Sequence, residues 1–178
     1  MSTTIYNEEC FAFYQHRMDQ LIPLNRWDYV DEKGKERGKS PRDTDWRSKG
    51  YSSAAITNAI ESGNNLGFRL SDRDLVVDMD PRNMEVSLED ATRTLIDDFG
   101  MDMDAAPAVT TGSGGLHFYF TIPESWVGVR LLNEMNDLPG VEFKVVGRQV
   151  VAAGSRHPNG TQYNPWDGRS LGSIPEAS

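Results

Sequence analysis

The chain has 178 residues, a size that fits one domain or two small lobes sharing a core. Its 38% hydrophobic content is enough for a globular interior, and no apolar run is long enough to span a membrane. The formal net charge of −9 argues against a general nucleic-acid coat protein, because phosphate binding needs a basic surface. The single cysteine, Cys10, excludes internal disulfides and a multi-cysteine zinc site.

These features, with no signal-peptide pattern at the N-terminus, lead us to expect a soluble protein of the cytoplasm. The charge is nevertheless uneven. The stretch from Lys33 to Lys49 holds seven basic residues against three acidic ones, whereas nine acidic residues lie between Asp78 and Asp104. The basic stretch is either a contact for a phosphate backbone or a solvated loop with mixed charges.

Hydrophobic periodicity predicts a mixture of helices and strands. The first half is predicted to contain an amphipathic helix over 7–21, a strand over 26–30, a polar turn or hairpin over 31–39 and a helix capped at Ser52 or Ser53. Paired strands are predicted over 65–70 and 75–80, followed by a helix starting with a capping box at Ser87. The second half has predicted hairpins formed by 108–111 with 116–122 and by 141–146 with 149–153. The interspersed order indicates an α/β or α+β fold around mixed sheets.

We expect residues 1–165 to form one catalytic domain and residues 166–178 to form a polar, mobile tail.

The segment Leu75-Val-Val-Asp-Met-Asp-Pro81 contains the most informative acidic pair. Alternation along a strand places Asp78 and Asp80 on one face, about 6.6 Å apart. Two carboxylates at that distance repel by about 2.5 kcal/mol at an effective dielectric of about 20. A divalent cation bound by oxygen ligands would relieve the repulsion. The alternative is a strand that ends in a solvated acidic turn, and the motif alone does not decide between them.

Three further segments carry residues with useful chemistry. Thr110-Thr-Gly-Ser-Gly-Gly-Leu-His117 is a glycine-rich turn whose amides, with Ser113, Gly114 and His117, suit phosphates, although most such turns only connect strands. In Val141-Glu-Phe-Lys144, Glu142 and Lys144 share one strand face. Glu142 either completes a metal site with Asp78 and Asp80 or forms a surface ion pair with Lys144. The polar loop after 153 offers Arg156 and His157 to an anion.

The order of these motifs resembles the archaeo-eukaryotic primase superfamily, in particular the primase-polymerase (prim-pol) domains of plasmids, phages and mobile elements. The matching elements are Asp78-Met-Asp80, Ser113-Gly-Gly-Leu-His117 and Val141-Glu142-Phe143, with Asn65–Arg69 before them and Val150–His157 after them. The resemblance covers roughly residues 39–163 and implies an α+β catalytic core in which an RRM-like unit packs on an αβ unit. The third acid is Glu where Asp is common in the family.

The resemblance implies a template-dependent DNA primase or DNA polymerase in a bacterial or archaeal host cell. It assigns Asp78, Asp80 and Glu142 to two Mg²⁺ or Mn²⁺ ions, with no zinc. It assigns Ser113, Gly114 and His117 to the triphosphate, and gives Lys144, Arg148, Arg156 and Arg69 as further nucleotide contacts. The expected partners are single-stranded DNA, dNTPs or NTPs, and a helicase on a longer parent chain or a separate protein.

Two other functions remain open from the residues. A metal-dependent nuclease or phosphodiesterase would also use the acids, but would not need the glycine-rich loop. A non-catalytic RRM-like adaptor would need exposed strand aromatics such as Tyr119. The sequence does not distinguish primer initiation from extension, or dNTP from NTP preference.

Overall fold

The computed structural model describes residues 6–177 of the chain, apart from the side chain of Ser173. The α-helices are α1 (Glu8–Phe13), α2 (Ser53–Glu61) and α3 (Leu88–Asp97). The strands are β1 (Leu21–Arg26), β2 (Asn64–Arg69), β3 (Asp74–Met79), β4 (Ala108–Thr110), β5 (Leu116–Thr121), β6 (Val141–Lys144), β7 (Gln149–Val151) and β8 (Asn164–Trp166). The α+β fold class is confirmed. None of the helices within residues 6–177 has the length and apolar composition needed to cross a membrane.

The strands form two antiparallel sheets, one with the order β1-β2-β7 and the other with the order β6-β3-β5-β4-β8. The predicted β4–β5 hairpin is confirmed. The predicted pairings of β2 with β3 and of β6 with β7 are wrong, because each connection passes from one sheet to the other. The two connections run side by side, and the Leu70 N–H donates to the carbonyl of Arg148. This arrangement gives β2–β7 and β3–β6 as the true pairs.

An aromatic core lies between the two sheets. The rings of Tyr14 and Phe68 stack at 5.5 Å, and Phe68 meets the edge of Tyr119 at 5.7 Å. Tyr119 is only 2% exposed, so it does not provide the exposed strand aromatic that the adaptor hypothesis needs. The predicted alternation of β5 is present, but both of its faces are buried. His117, the second residue of β5, shares its face with Tyr119 and Thr121 and is itself buried.

A second core lies on the opposite face of the five-stranded sheet, under α3. Ala91 and Leu95 of the helix pack with Val77, Phe118 and their neighbours. The helix begins as predicted, since the Ser87 side chain accepts a hydrogen bond from the Asp90 N–H. The two cores together bury β3 on both faces up to Asp78 and so fix the direction of its last residues.

The N-terminal elements differ from those that the hydrophobic periodicity predicts. The predicted helix over 7–21 covers only Glu8–Phe13 as α-helix, because His16 has a left-handed φ of 70° and Leu21 starts β1. The predicted strand over 26–30 is therefore wrong, and the chain turns after Arg26. The predicted polar hairpin is present: Asp31 accepts hydrogen bonds from the Lys33 and Lys35 amides, and Val30 pairs with Glu36.

The C-terminal residues contact both cores. Strand β8 pairs with β4, Leu171 and Ala177 are buried, and Glu176 forms a bridge with Thr121. The division into a domain of residues 1–165 and a mobile tail of residues 166–178 stays a prediction.

Candidate active site

Three neighbouring strands bring the central polar residues together. In the antiparallel register, Asp78 of β3 lies directly opposite Glu142 of β6 on one side and His117 of β5 on the other. Side chains directly opposite each other have Cβ atoms about 4.5–5.5 Å apart. Asp78 also shares its strand face with Val76, which belongs to the inter-sheet core. The site therefore lies where the space between the sheets opens at the end of β3.

The Lys144 ammonium group lies between two of the acids. Its Nζ is 2.7 Å from Oδ2 of Asp78 and 3.1 Å from Oε2 of Glu142. Burial lowers the pKa of Lys144, but Asp78 and Glu142 outweigh burial and raise it above its ordinary value. Lys144 therefore stays charged and neutralises part of the acidic site.

Asp78 is held as a carboxylate by its neighbours. Its Oδ1 is 3.4 Å from Nε2 of His117, and its side chain is 19% exposed. Burial raises the pKa of Asp78, but His117 and then Lys144 outweigh burial and hold the pKa well below its usual range. An ionised carboxylate is the form that a cation requires.

Asp80 lies one residue beyond β3 and has its own cation. Arg82 makes a two-pronged pair with it, at 3.0 Å from Nε and 2.6 Å from Nη2. Asp80 also caps the short 3₁₀ helix Pro81–Asn83. The hydrogen bond from Arg82 is the main cause that lowers the pKa of Asp80. The two aspartates are therefore balanced by different basic residues.

The glycine-rich turn between β4 and β5 is organised by Thr111. Its hydroxyl accepts from the Gly115 N–H at 3.0 Å, its carbonyl accepts from the Gly114 N–H, and its hydroxyl is 3.1 Å from that of Ser113. A Cβ on Gly115 would lie 2.0 Å from the Met79 carbonyl oxygen, so this turn packs on the end of β3. Ser113 and Gly114 lie at its outer part, the former half-buried and the latter exposed.

His117 and His157 are both buried, and the centre of the Tyr163 ring is 6.2 Å from that of the first imidazole and 6.3 Å from that of the second. The His117 Nδ1 is inaccessible and has no hydrogen-bond partner among residues 6–177, whereas its Nε2 faces the Asp78 carboxylate. The Asn159 N–H donates to Nδ1 of His157. Burial, followed by the charge of Lys39, lowers the pKa of His157.

The arginines suggested as nucleotide contacts have different surroundings. Nη1 of Arg69 donates to the carbonyls of Trp46 and Lys49, and thereby holds the 46–49 segment. The main chain of Arg156 is fixed by two hydrogen bonds with the Asn65 side chain. Arg148 is exposed and, together with Lys144, lines a groove of about 460 Å³. Of the three, Arg148 is thus connected to the acidic site by a continuous surface.

Two basic residues of the site were missed at the sequence level. Arg82 directly follows Asp80-Pro81, and this closeness in sequence could have predicted its ion pair with Asp80. Lys39 is more than 30 residues away in sequence. Burial and then the charge of Arg82 lower the pKa of Lys39, while Asp78 and Asp80 oppose the shift. Its proximity to the site therefore came only from the fold.

The acids suit a hard divalent cation by their chemistry, since three carboxylates provide oxygen ligands only. Their arrangement is different from a preformed metal cluster. Within residues 6–177, no three His, Cys, Asp or Glu side chains converge sufficiently to hold a metal. Lys144 and Arg82 instead occupy the positions next to the carboxylates.

A family model described as Prim-Pol, bifunctional DNA primase/polymerase, N-terminal, matches residues 12–177. The search of curated proteins gave no match.

Proposed function

The chain belongs to the Prim-Pol family, and we therefore propose that it joins nucleoside triphosphates to a 3′-hydroxyl on a DNA template at the site around Asp78. Family membership supports a nucleotidyltransferase of the DNA primase/polymerase type, with DNA and nucleotides as substrates. The choice of residues and the use of two metal ions are our proposal.

The observation that carries the assignment is the register of three adjacent strands. Asp78 has Glu142 and His117 as its direct cross-strand neighbours, and the glycine-rich turn packs on Met79, the next residue and the last of the strand. Acids, an imidazole and a turn suited to phosphates thus come from separate parts of the sequence to one location. A nuclease needs the acids but not this turn.

We assign Asp78, Asp80 and Glu142 to two Mg²⁺ or Mn²⁺ ions. When bound, such ions lower the pKa of a 3′-hydroxyl and neutralise charge at the transferred phosphate. The low pKa of Asp78 and of Asp80 favours this role, because both carboxylates remain ionised at neutral pH.

The remaining residues would bind and orient the nucleotide. Ser113, Gly114 and His117 would hold the triphosphate, and Lys144 and Arg148 would contact it from the β6–β7 side. Positioning and charge stabilisation account for most of the catalysis of phosphoryl transfer, so little acid–base chemistry is required of the protein. Direct nucleotide contacts from Arg69 and Arg156 stay predictions, as does a helicase partner.

The groove beside Lys144 is our proposed contact for the DNA strand. It is lined by Arg47 and Arg148 as well as Lys144, and none of its lining residues is acidic. Arg47 stacks on Trp46, with its guanidinium carbon 4.6 Å from the ring centre. In a chain of net charge −9, this continuous basic surface next to the acids is a suitable track for phosphates.

The test is extension of a labelled primer on single-stranded DNA, with dNTPs and Mg²⁺ or Mn²⁺. Extension should fall by at least about 100-fold in the double variant Asp78→Asn/Asp80→Asn, because each substitution removes a metal-binding charge while keeping the shape of the side chain. Asp72→Asn, in the exposed turn before β3, is the matched control and should retain full extension.

A parallel reaction with unprimed template and labelled nucleotide separates primer initiation from extension. Shortening of the substrate in place of extension would replace the proposal by the nuclease hypothesis. Tight strand binding with no chemistry, unchanged by chelation, would favour the adaptor.

A further inference from the structure

The Lys144 ammonium group contacts two acidic side chains at once, which binding a nucleotide would not by itself require. Its Nζ contacts carboxylates of two different strands at 2.7 and 3.1 Å, and these are two of the three acids assigned to metal. Its side chain is only 20% exposed, so these ion pairs are partly shielded from water. A single ammonium group therefore takes the place between Asp78 and Glu142.

The strand register explains why this location needs a cation. Asp78 and Glu142 are direct cross-strand neighbours, and like charges directly opposite each other destabilise a sheet. Two carboxylates in this arrangement repel each other unless a cation lies between them. Lys144, two residues after Glu142 on the same face of β6, relieves this repulsion from within the same strand.

We propose that Lys144 is a built-in counter-cation that competes with the divalent metal for Asp78 and Glu142. The proposal rests on the metal-binding role given to these acids above. Metal binding and the Lys144 ion pairs use the same two carboxylates, so a metal ion that binds between them would displace the ammonium group. Without nucleotide, the metal alone then binds weakly, and the displaced ammonium becomes available to a phosphate.

The first experiment measures Mn²⁺ binding without nucleotide, by calorimetry and by the electron paramagnetic resonance signal of free Mn²⁺. Lys144→Met should bind Mn²⁺ about tenfold or more tightly than the wild type, because its carboxylates have lost their competitor. Lys144→Arg, which keeps the charge, should remain close to the wild type. Lys33→Met removes one positive charge from an exposed hairpin and controls for the change in net charge.

A second measurement uses the wild-type protein and does not depend on the folding of a variant. Acetylation of lysines, followed by mass spectrometry, reports how accessible each ammonium group is. Mn²⁺ should raise the acetylation of Lys144 severalfold, since the amine leaves its ion pairs, and should leave that of Lys33 unchanged. Unchanged or reduced labelling of Lys144 would overturn the inference.

The outcomes separate this inference from the proposed function. Equal Mn²⁺ affinity in the wild type and Lys144→Met would overturn competition, while metal-dependent primer extension would still support the site. If neither protein binds Mn²⁺ and primer extension is absent, both the inference and the proposed metal site fail.

Discussion

Gly115 lies against the last carbonyl group of β3, and this contact joins the glycine-rich turn to the acidic site. A Cβ at Gly115 would lie 2.0 Å from the Met79 oxygen and 3.0 Å from the ring of Pro81. Neither atom is the far end of a flexible side chain, so the clash can be relieved only by a shift of the backbone. That backbone leads directly into Asp80.

Gly115→Ala should therefore lower the free energy of unfolding by about 1–3 kcal/mol, the range of overpacking at a buried position. It should also reduce primer extension at temperatures where the variant is fully folded, because Asp80 is moved. Urea unfolding gives the first quantity. Gly50→Ala is the control, since a Cβ there meets no atom within 4 Å, and a similar loss in that variant would contradict the explanation.

At the scale of elements, Asp74 holds the start of β3 as firmly as the site residues hold its end. Its carboxylate accepts hydrogen bonds from Arg17 at 2.5 Å, from Gln20 at 2.7 Å and from the Ser71 N–H at 2.7 Å. Gln20 also donates to the Arg69 carbonyl at the end of β2. This buried carboxylate thus connects the segment before β1 and the end of β2 to the five-stranded sheet.

The pH dependence of stability should reflect this network. Burial raises the pKa of Asp74, but Arg17 and Ser71 outweigh burial and lower it below the unfolded value of about 3.9. The stabilisation is therefore complete above the unfolded pKa and is lost as the pH falls through the folded pKa. Asp74→Asn should cost about 2–3 kcal/mol at pH 7, and its difference from the wild type should shrink below about pH 4.

Urea unfolding of both proteins between pH 7 and pH 3 provides the measurement. Other titrating groups are common to the two proteins and cancel in the difference. A difference that stays constant over this range would show that the Asp74 charge contributes nothing.

At the scale of the whole molecule, the negative chain separates its charges by location. Part of the basic stretch 33–49 is used internally, as Arg37 pairs with Asp31 and Lys49 with Asp43, both at 2.8 Å. Arg47 instead lines the groove with Lys144 and Arg148. The candidate DNA surface therefore includes only part of the basic stretch 33–49, and it lies next to the acids.

Arg47→Ala/Arg148→Ala should weaken the binding of single-stranded DNA by about tenfold and reduce the slope of log affinity against log salt by about 0.7 for each lost phosphate contact. Fluorescence anisotropy across a KCl series measures both. Arg93→Ala is the control, because Arg93 is exposed on α3, across the five-stranded sheet from the site, and pairs with Glu89. Equal weakening in this control would show that net charge alone governs binding.

The local features of this protein can be predicted from short stretches of its sequence. The strand with Asp78, the hairpin of β4 and β5, the cap at Ser87 and the alternation that places Glu142 and Lys144 on one face all depend on neighbours a few residues apart. Side-chain alternation and capping are properties of the nearby backbone, so the pattern of residues is enough to predict them.

Strand pairing, and the choice of the cations that contact the acids, depend on how the whole chain packs. The connections after β2 and β6 are short, which favours hairpins, yet each passes to the other sheet because both sheets bury their strands in a shared core. The proximity of Lys39 to the site, the location of Lys144 between Asp78 and Glu142 and the internal role of Arg69 follow from that pairing. Such contacts depend on free energies summed over the whole packed chain, so they cannot be predicted from a short stretch of sequence.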